Sequence, residues 1–291
     1  MARVVPKLAR KIAENLFSVL FPSDCRICQA PLIQLSRLPV CNECLNAISG
    51  IEDGLCTTCG ERIFSPYAIE GLDLPLCGLC RRIEQLFARA VAYGSYEGGL
   101  RELIHLLKFN GVRPAANVLG RMLAEAITKL APQLPAEVLS VIPVPLYRTK
   151  LRQRGFNQAE LIARSALKLL KKDRFALCTG VLARKRETSS QIGLTSHQRR
   201  ENLRGAFAVV KPELVRGREV LVVDDVYTTG ATVSECARIL RRAGAVKVWV
   251  ATVARTLKVS AQYANSGPGQ YNPGRIEPAA AQAPLARAAG G

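Results

Sequence analysis

Residues 219–232 read EVLVVDDVYTTGAT. An apolar run, Val220 to Val223, delivers two adjacent acids, Asp224 and Asp225. The small-residue stretch Thr228-Thr229-Gly230-Ala231-Thr232 follows and opens into the helical pattern ATVSECARILRRAGA (231–245). A short apolar run of β-branched residues bounded by turn signals predicts a buried strand. The order strand, turn, helix then sets the acids and the loop at the carboxyl end of that strand, where open α/β sheets bind ligands. A helix N-terminus presents unpaired N–H groups and the positive end of its dipole, so the loop reads as a phosphate cradle. Gly230 permits close backbone approach, the threonine hydroxyls donate to phosphate oxygens, and the two carboxylates stand where ribose 2′- and 3′-hydroxyls can donate to them.

Outward from this turn, apolar runs alternate with amphipathic stretches. VKVWVATVAR (246–255), GAFAVV (205–210), VLSVIPVP (138–145) and AVAYGSY (90–96) read as strands. Leu100–Phe109, Ala115–Leu130 and NQAELIARSALKLLK (157–171) carry apolar residues at three- and four-residue spacing and read as helices. Strands alternating with helices predict parallel βαβ units in a doubly wound sheet. One further segment complements the phosphate turn. After the strand that ends at Pro143-Val144-Pro145, four cations (Arg148, Lys150, Arg152 and Arg154) fall within seven residues. Arginine suits bidentate phosphate contacts, so this segment is expected to be a basic loop on the phosphate side of the site. The polar stretch Arg184–Arg204, with Thr188, Gln191, Arg199, Arg200 and Asn202, is expected as a loop and short helix beside the sheet edge.

Upstream, eight of the ten cysteines form four CxxC pairs. Cys25/Cys28 and Cys41/Cys44 are separated by twelve residues, and Cys56/Cys59 and Cys77/Cys80 by seventeen. Each CxxC turn sets two thiolates on one side of an ion, and two turns complete a tetrahedron. Four sulfurs leave no open coordination position, so both sites read as structural zinc. An iron–sulfur cluster is the alternative that the same ligands serve. Pairing in sequence order, first four then second four, is expected over interleaving. Cys178 and Cys236 read as small buried hydrophobes.

The ends read differently. Residues 1–21 place Leu8, Ile12, Leu16 and Leu20 at helical spacing among Lys7, Arg10 and Lys11, which predicts a short amphipathic helix. They lack the unbroken apolar core of an export signal or a spanning helix, so the protein is expected in the cytoplasm, with no membrane span. Residues 260–291 are rich in Ala, Gly, Pro and Gln and lack an apolar stripe, and are expected to be disordered. The chain thus divides into an N-terminal helix (1–21), a double ribbon (22–85), an α/β domain (86–259) and a tail (260–291). A net charge of +18 favours a polyanionic partner without choosing among nucleic acid, phosphorylated metabolite and membrane surface. No GxSxG, HExxH or Walker A pattern occurs, and the two histidines, His105 and His197, form no recognisable triad.

With these residues in view, VLVVDDVYTTGAT resembles the phosphoribosyl pyrophosphate signature of type I phosphoribosyltransferases. VIPVPLYRTKLRQRGFNQAELIA (141–163), RKRETSSQIGLTSHQRRENLRGAF (184–207) and the paired CxxC units extend the resemblance to the ComF family, also described as competence protein F-like or GntX-like. The resemblance covers about residues 20–257. It implies a type I phosphoribosyltransferase-like α/β fold, a parallel sheet flanked by helices, behind a small double zinc ribbon. It implies that Asp224 and Asp225 are the catalytic, ribose-holding acids, that Thr228, Thr229, Gly230, Ala231 and Thr232 bind the 5′-phosphate, and that Arg148, Lys150, Arg152 and Arg154 form a flexible pyrophosphate loop. Two structural zinc ions, and magnesium carried with phosphoribosyl pyrophosphate, are the implied cofactors. The implied function is transfer of phosphoribose to an unidentified acceptor. The alternative is a non-catalytic or sensory factor of DNA uptake in natural competence that engages single-stranded DNA or a helicase. Thr228 stands where purine-specific transferases carry an acid, which argues against purine salvage.

Overall fold

The strands on either side of the acid pair are apolar on both faces, the mark of a parallel sheet covered by other layers. The computed structural model describes residues 24–32, 36–52, 54–63, 75–171, 173–188 and 195–257. The expected N-terminal helix and the tail lie outside them. Two short helices, α1 (Asn42–Asn46) and α2 (Gly78–Arg82), belong to the cysteine-rich region. The α/β region then runs β1 (Arg89–Ser95), α3 (Gly98–Phe109), α4 (Ala115–Thr128), β2 (Leu139–Pro143), α5 (Arg148–Arg154), α6 (Gln158–Leu167) and β3 (Phe175–Leu177). It continues with β4 (Leu182–Arg184), α7 (Ser196–Leu203), β5 (Phe207–Val209), β6 (Glu219–Tyr227), α8 (Ala231–Arg242) and β7 (Lys247–Arg255).

Five strands form one sheet in the order β1-β7-β6-β2-β3, and every pairing in it is parallel. Side chains alternate between its faces. Val141, Leu221, Val223, Trp249, Ala251 and Val253 meet α3, α4 and α6 on one side. Ile142, Val220, Val222, Val248 and Val250 meet α8 and the β4–β5 pair on the other. On the first side α4 and α6 approach so closely that a Cβ at Gly120 would lie 2.4 Å from Ser165 Cβ. Glycine is required there by contact rather than by backbone conformation.

Two expectations are corrected. The basic segment after β2 is the helix α5 rather than a loop. Its sequence, RTKLRQR, is made mostly of strong helix formers, and Gly155, in the left-handed region at φ 76°, ends it. GAFAVV contributes only β5, which pairs antiparallel with β4 outside the main sheet. Three residues, one of them fully buried, carry too little apolar surface for a central strand.

The cysteine-rich region embraces β1. Cys25, Leu38 and Val40 of the first ribbon join the core on the α3–α4 face. Cys56 and Cys59 of the second join the α8 face. Between them, Ile51 N–H donates to Tyr93 O at 2.7 Å, and Ala90 N–H donates to Thr58 O at 2.7 Å. Lys129, just after α4, donates to Ile51 O at 2.8 Å. The ribbons therefore straddle the β1 edge and grip both faces of the sheet.

Candidate functional site

The chain leaves β2 for β3 in one direction across the sheet and leaves β6 for β7 in the other. The crevice between β2 and β6 is thus the topological switch point, where sheets of this class take ligands. Pairing of β2 with β6 runs out at Pro143↔Val223, while β7 follows β6 as far as Tyr227↔Arg255. Asp224 and Asp225 therefore sit past the end of β2, held in place by β7 and open on the other side.

Cations converge on this acid pair from three elements. Lys108, in the last turn of α3, places Nζ 2.9 Å from Asp225 Oδ1. The Asp225 carboxylate is buried, and its Oδ2 has no partner among the described residues. Burial pushes Lys108 down, but Asp225 outweighs it and leaves the ammonium above its ordinary range. Arg154, at the end of α5, donates to Gln158 and stacks 5.8 Å from the Phe109 ring centroid; burial lowers its guanidinium, with Asp225 pulling the other way. Arg184, from β4, donates to Thr188 and covers Phe207; burial lowers it too, and the Asp224 charge opposes that shift. Asp224 accepts from the Asp225 N–H at 2.9 Å. Burial, then the Asp225 charge, push its carboxyl up to about 7, against the pull of Lys108 and Arg184. Burial also raises the Cys236 thiol beneath it on α8, which agrees with its reading as a packed hydrophobe.

The loop that follows has the form of an anion cradle. Gly230 takes φ 77° and caps α8, and no side chain hydrogen-bonds the first turn of that helix. Its leading N–H groups are therefore unclaimed by a side-chain cap. Thr229 Oγ1 is buried without a partner among the described residues. A Cβ at Gly230 would lie 2.2 Å from the Tyr227 hydroxyl, so the Tyr227 ring occupies the space beneath the turn.

The structure brings together Asp224, Asp225, the Thr228–Thr232 turn and Arg154. It leaves Arg148, Lys150 and Arg152 exposed along α5, unpaired with the acids among the described residues. Gln191 lies outside the described residues, as do the side chains of His197 and Arg200. Two cations were not singled out from sequence. Lys108 follows Leu100, Leu103, Ile104 and Leu107 on the buried stripe of α3, and a lysine on an apolar stripe was the available signal. Arg184 had none beyond its place in a basic run. His105 is accounted for structurally: its Nε2 is 3.0 Å from the Tyr96 hydroxyl, and its ring packs edge-on against Phe109.

The eight CxxC cysteines assemble in sequence order: Cys25, Cys28, Cys41 and Cys44 form one group, and Cys56, Cys59, Cys77 and Cys80 the other, with sulfurs of each group within 4.8 Å of one another. Cys28 and Cys41 sulfurs are 3.7 Å apart, and Cys59 and Cys77 sulfurs 3.6 Å. A tetrahedral ion bound to sulfur at about 2.3 Å sets its ligands about 3.8 Å apart, so each group fits one four-coordinate ion. Inorganic sulfide and several irons between the thiolates would hold them farther apart. One thiol of each group is shifted down, while Cys28, Cys44, Cys59 and Cys80 are shifted up. The Cys59 thiol donates to Cys56 and, against burial, holds it down to about 4. Burial pushes Cys25 up, but the amides of Cys28, Cys41 and Ile27 outweigh it and bring it down to about 6. No helix among the described residues is long and apolar enough to cross a membrane.

Comparison with known proteins agrees with this geometry. The phosphoribosyl transferase domain model matches residues 154–265. The DNA utilization protein YhgH of Escherichia coli O157:H7 is 35% identical over 245 residues, 81% of this chain and 98% of that one. Competence protein F of Haemophilus influenzae is 34% identical over 225 residues, covering 74% of this chain and 96% of its own length. Competence protein ComFC of Bacillus subtilis is 23% identical over 70% of this chain and 79% of that one.

Proposed function

The chain belongs to the competence protein F (ComF) family and carries its phosphoribosyltransferase domain, and from that premise we propose that it binds phosphoribosyl pyrophosphate at the β6–α8 turn. The observation that carries the reading is a pair of buried polar atoms without partners among the described residues, Asp225 Oδ2 and Thr229 Oγ1, both in the segment that leads into the N-terminus of α8. A buried polar atom left unpaired costs roughly 1–3 kcal/mol. Ribose hydroxyls and a 5′-phosphate are the groups that would pair these two. Under this reading Asp224 and Asp225 orient the ribose, and the α8 amides with Thr229 hold the 5′-phosphate. Lys108 and Arg154 face the pyrophosphate from α3 and α5. Magnesium carried in with the ligand would neutralise the departing pyrophosphate, and the orphaned carboxylate oxygen suits a hard cation or its water shell. In the transfer, an acceptor nucleophile bonds to ribose C1 as the C1–O bond to pyrophosphate breaks, and the acceptor loses its proton. Thr228 cannot take that proton at neutral pH and it must pass to solvent, so an acceptor that is already anionic, or whose attacking atom has no proton to lose, fits best. The four-sulfur geometry supports zinc in both ribbons, and the reduced thiols such sites require suit the cytoplasm.

Calorimetry with phosphoribosyl pyrophosphate and Mg²⁺ tests the site. Binding is expected to disappear when Asp224 and Asp225 are both changed to Asn, and unchanged affinity in that variant would refute the assignment.

A second reading, contact with nucleic acid, is favoured by a groove of about 680 Å³ lined by Arg37 of the first ribbon together with Arg113, Arg164 and Lys168. The names of the relatives point the same way. Affinity for single-stranded DNA should then fall steeply with salt, because phosphate contacts release condensed counterions. Binding insensitive to salt would remove this reading.

A further inference from the structure

The second cysteine cluster touches the phosphate turn through two buried side chains. Arg255, the last residue of β7, is 3% exposed although it carries a charge. Its guanidinium donates to the Cys59 carbonyl and, at 3.0 Å, to Glu61 Oε2. Nη2 also stands 3.9 Å from Cys59 Sγ. The opposite side of the guanidinium faces Tyr227, with its central carbon 4.3 Å from the ring centroid. Tyr227 is wedged edge-on against Phe87, with ring centroids 6.4 Å apart, and its hydroxyl fills the space under Gly230. The backbone repeats the connection, since Tyr227 pairs with Arg255 across β6 and β7 and accepts from Thr256 N–H at 3.0 Å.

This arrangement has a direction. A buried arginine needs its acceptors fixed, because an unpaired buried charge is costly. Two of those acceptors, the Cys59 carbonyl and Glu61, lie on the turn whose shape the Cys56–Cys80 group determines. The cysteine group does not touch the phosphate turn itself. Tyr227 does, and Arg255 is what holds Tyr227. The first cluster has no such path: its cysteines pack on the α3–α4 face of the sheet, away from Tyr227.

We propose that Arg255 and Tyr227 are positioning residues through which ion loading of the second ribbon sets the shape of the Thr228–Thr232 turn, and hence its affinity for a phosphate ester. The phosphate ester part rests on the reading given under Proposed function. The mechanical part does not. Linkage makes the coupling reciprocal, so a phosphate ligand must tighten ion retention in the second ribbon, and not in the first, by the same factor.

Hydrogen exchange followed by mass spectrometry on the zinc-loaded full chain tests the mechanical part without any ligand. Tyr227→Leu, and separately Arg255→Met, should raise exchange across residues 228–234 while leaving α4 at wild-type protection. The Leu variant serves if the Met variant, which removes the Arg255–Glu61 ion pair, does not fold. Unchanged exchange at 228–234 in a folded Tyr227→Leu protein overturns the proposal. In a second arm, zinc release to a chelator is followed with and without phosphoribosyl pyrophosphate and Mg²⁺. Zinc ions at the two clusters are told apart with Cys28→Ser and Cys80→Ser proteins, each retaining one intact cluster. At equilibrium the ligand should raise the chelator concentration needed to strip the second cluster by about 5–150-fold, the usual span of such couplings, and leave the first unchanged. Equal effects on both clusters, or binding with no effect on either, overturn the coupling. Absence of binding refutes the function reading instead, and the exchange arm still decides the mechanical one.

Discussion

Replacing Lys108 by Met removes the one cation among the described residues in direct contact with the Asp225 carboxylate, which is only 5% exposed. Lys108 is itself 18% exposed, so the pair is screened little by solvent. Deleting one member of a buried pair commonly costs about 3–5 kcal/mol, because the other is left as an uncompensated charge. Arg154 remains within the field of Asp225 and offsets part of that, so about 3 kcal/mol is the expected loss. For a folded region of this size each kcal/mol moves the melting temperature by about 2–4 °C, giving a drop of about 6–12 °C. Thermal unfolding of the zinc-loaded protein measures it. Asp225→Asn alone should also destabilise, and the double variant should be less destabilised than the two single losses summed, as a coupled pair requires. If Lys108→Met melts within about 2 °C of wild type, or if the two changes are additive, the ion pair does not organise this site and the electrostatic account of it fails.

Three further outcomes are expected. Asp224 has its carboxyl raised from 3.8 to about 7, so a ligand that needs the carboxylate should bind more tightly as pH rises from 6 to 8 and should release a proton, read by calorimetry in buffers of different ionisation enthalpy. Because the folded-state value is raised, the stability Asp224 contributes is fully present below its unfolded value and is lost as pH climbs through about 7, so Asp224→Asn should gain on wild type at pH 8 relative to pH 6. Metal analysis should return about two zinc ions per chain, four thiolates to each; one ion, or an iron chromophore, would contradict the ribbon geometry. Gly120→Ala should destabilise by roughly 1–3 kcal/mol in denaturant titrations despite the better helix propensity of alanine, because its Cβ has no room against Ser165; a stabilised variant would show that α4 and α6 can separate freely.

The strand, turn and helix of the β6–α8 segment were legible because their signal is local. Four apolar residues and two acids are contiguous, and after Val226 and Tyr227 come five small residues; the structure places these groups as strand, crevice and helix cap in that order. The same is true of the CxxC pairs, whose spacing alone grouped the sulfurs correctly. Lys108 was not legible as a site residue, because its partner Asp225 is remote in sequence and only the close approach of α3 to β6 unites them. β3 and β4 were missed because three residues show no periodicity, and β5 was read as though it joined the main sheet for the same reason. The basic segment 148–154 was read as a loop from its charge, whereas helix propensity and the Gly155 stop govern its backbone. Strand order also lies beyond local pattern, since nothing in AVAYGSY announces a partner at the far end of the domain.

That partner has a consequence for how the protein is made. β1 is completed early, yet among the described residues its one strand neighbour in the sheet is β7, the last described strand to be synthesised, which lies between β1 and β6. Through most of translation β1 has no strand to pair with, a situation that exposes apolar edges to aggregation. The ribbons leave the ribosome before β1 and already offer Ile51 N–H and the Thr58 carbonyl to its backbone. A nascent chain that has captured its metal therefore carries a clamp holding β1 until β7 arrives. Starving cells of zinc should be most damaging to newly made chains and much less so to molecules already folded.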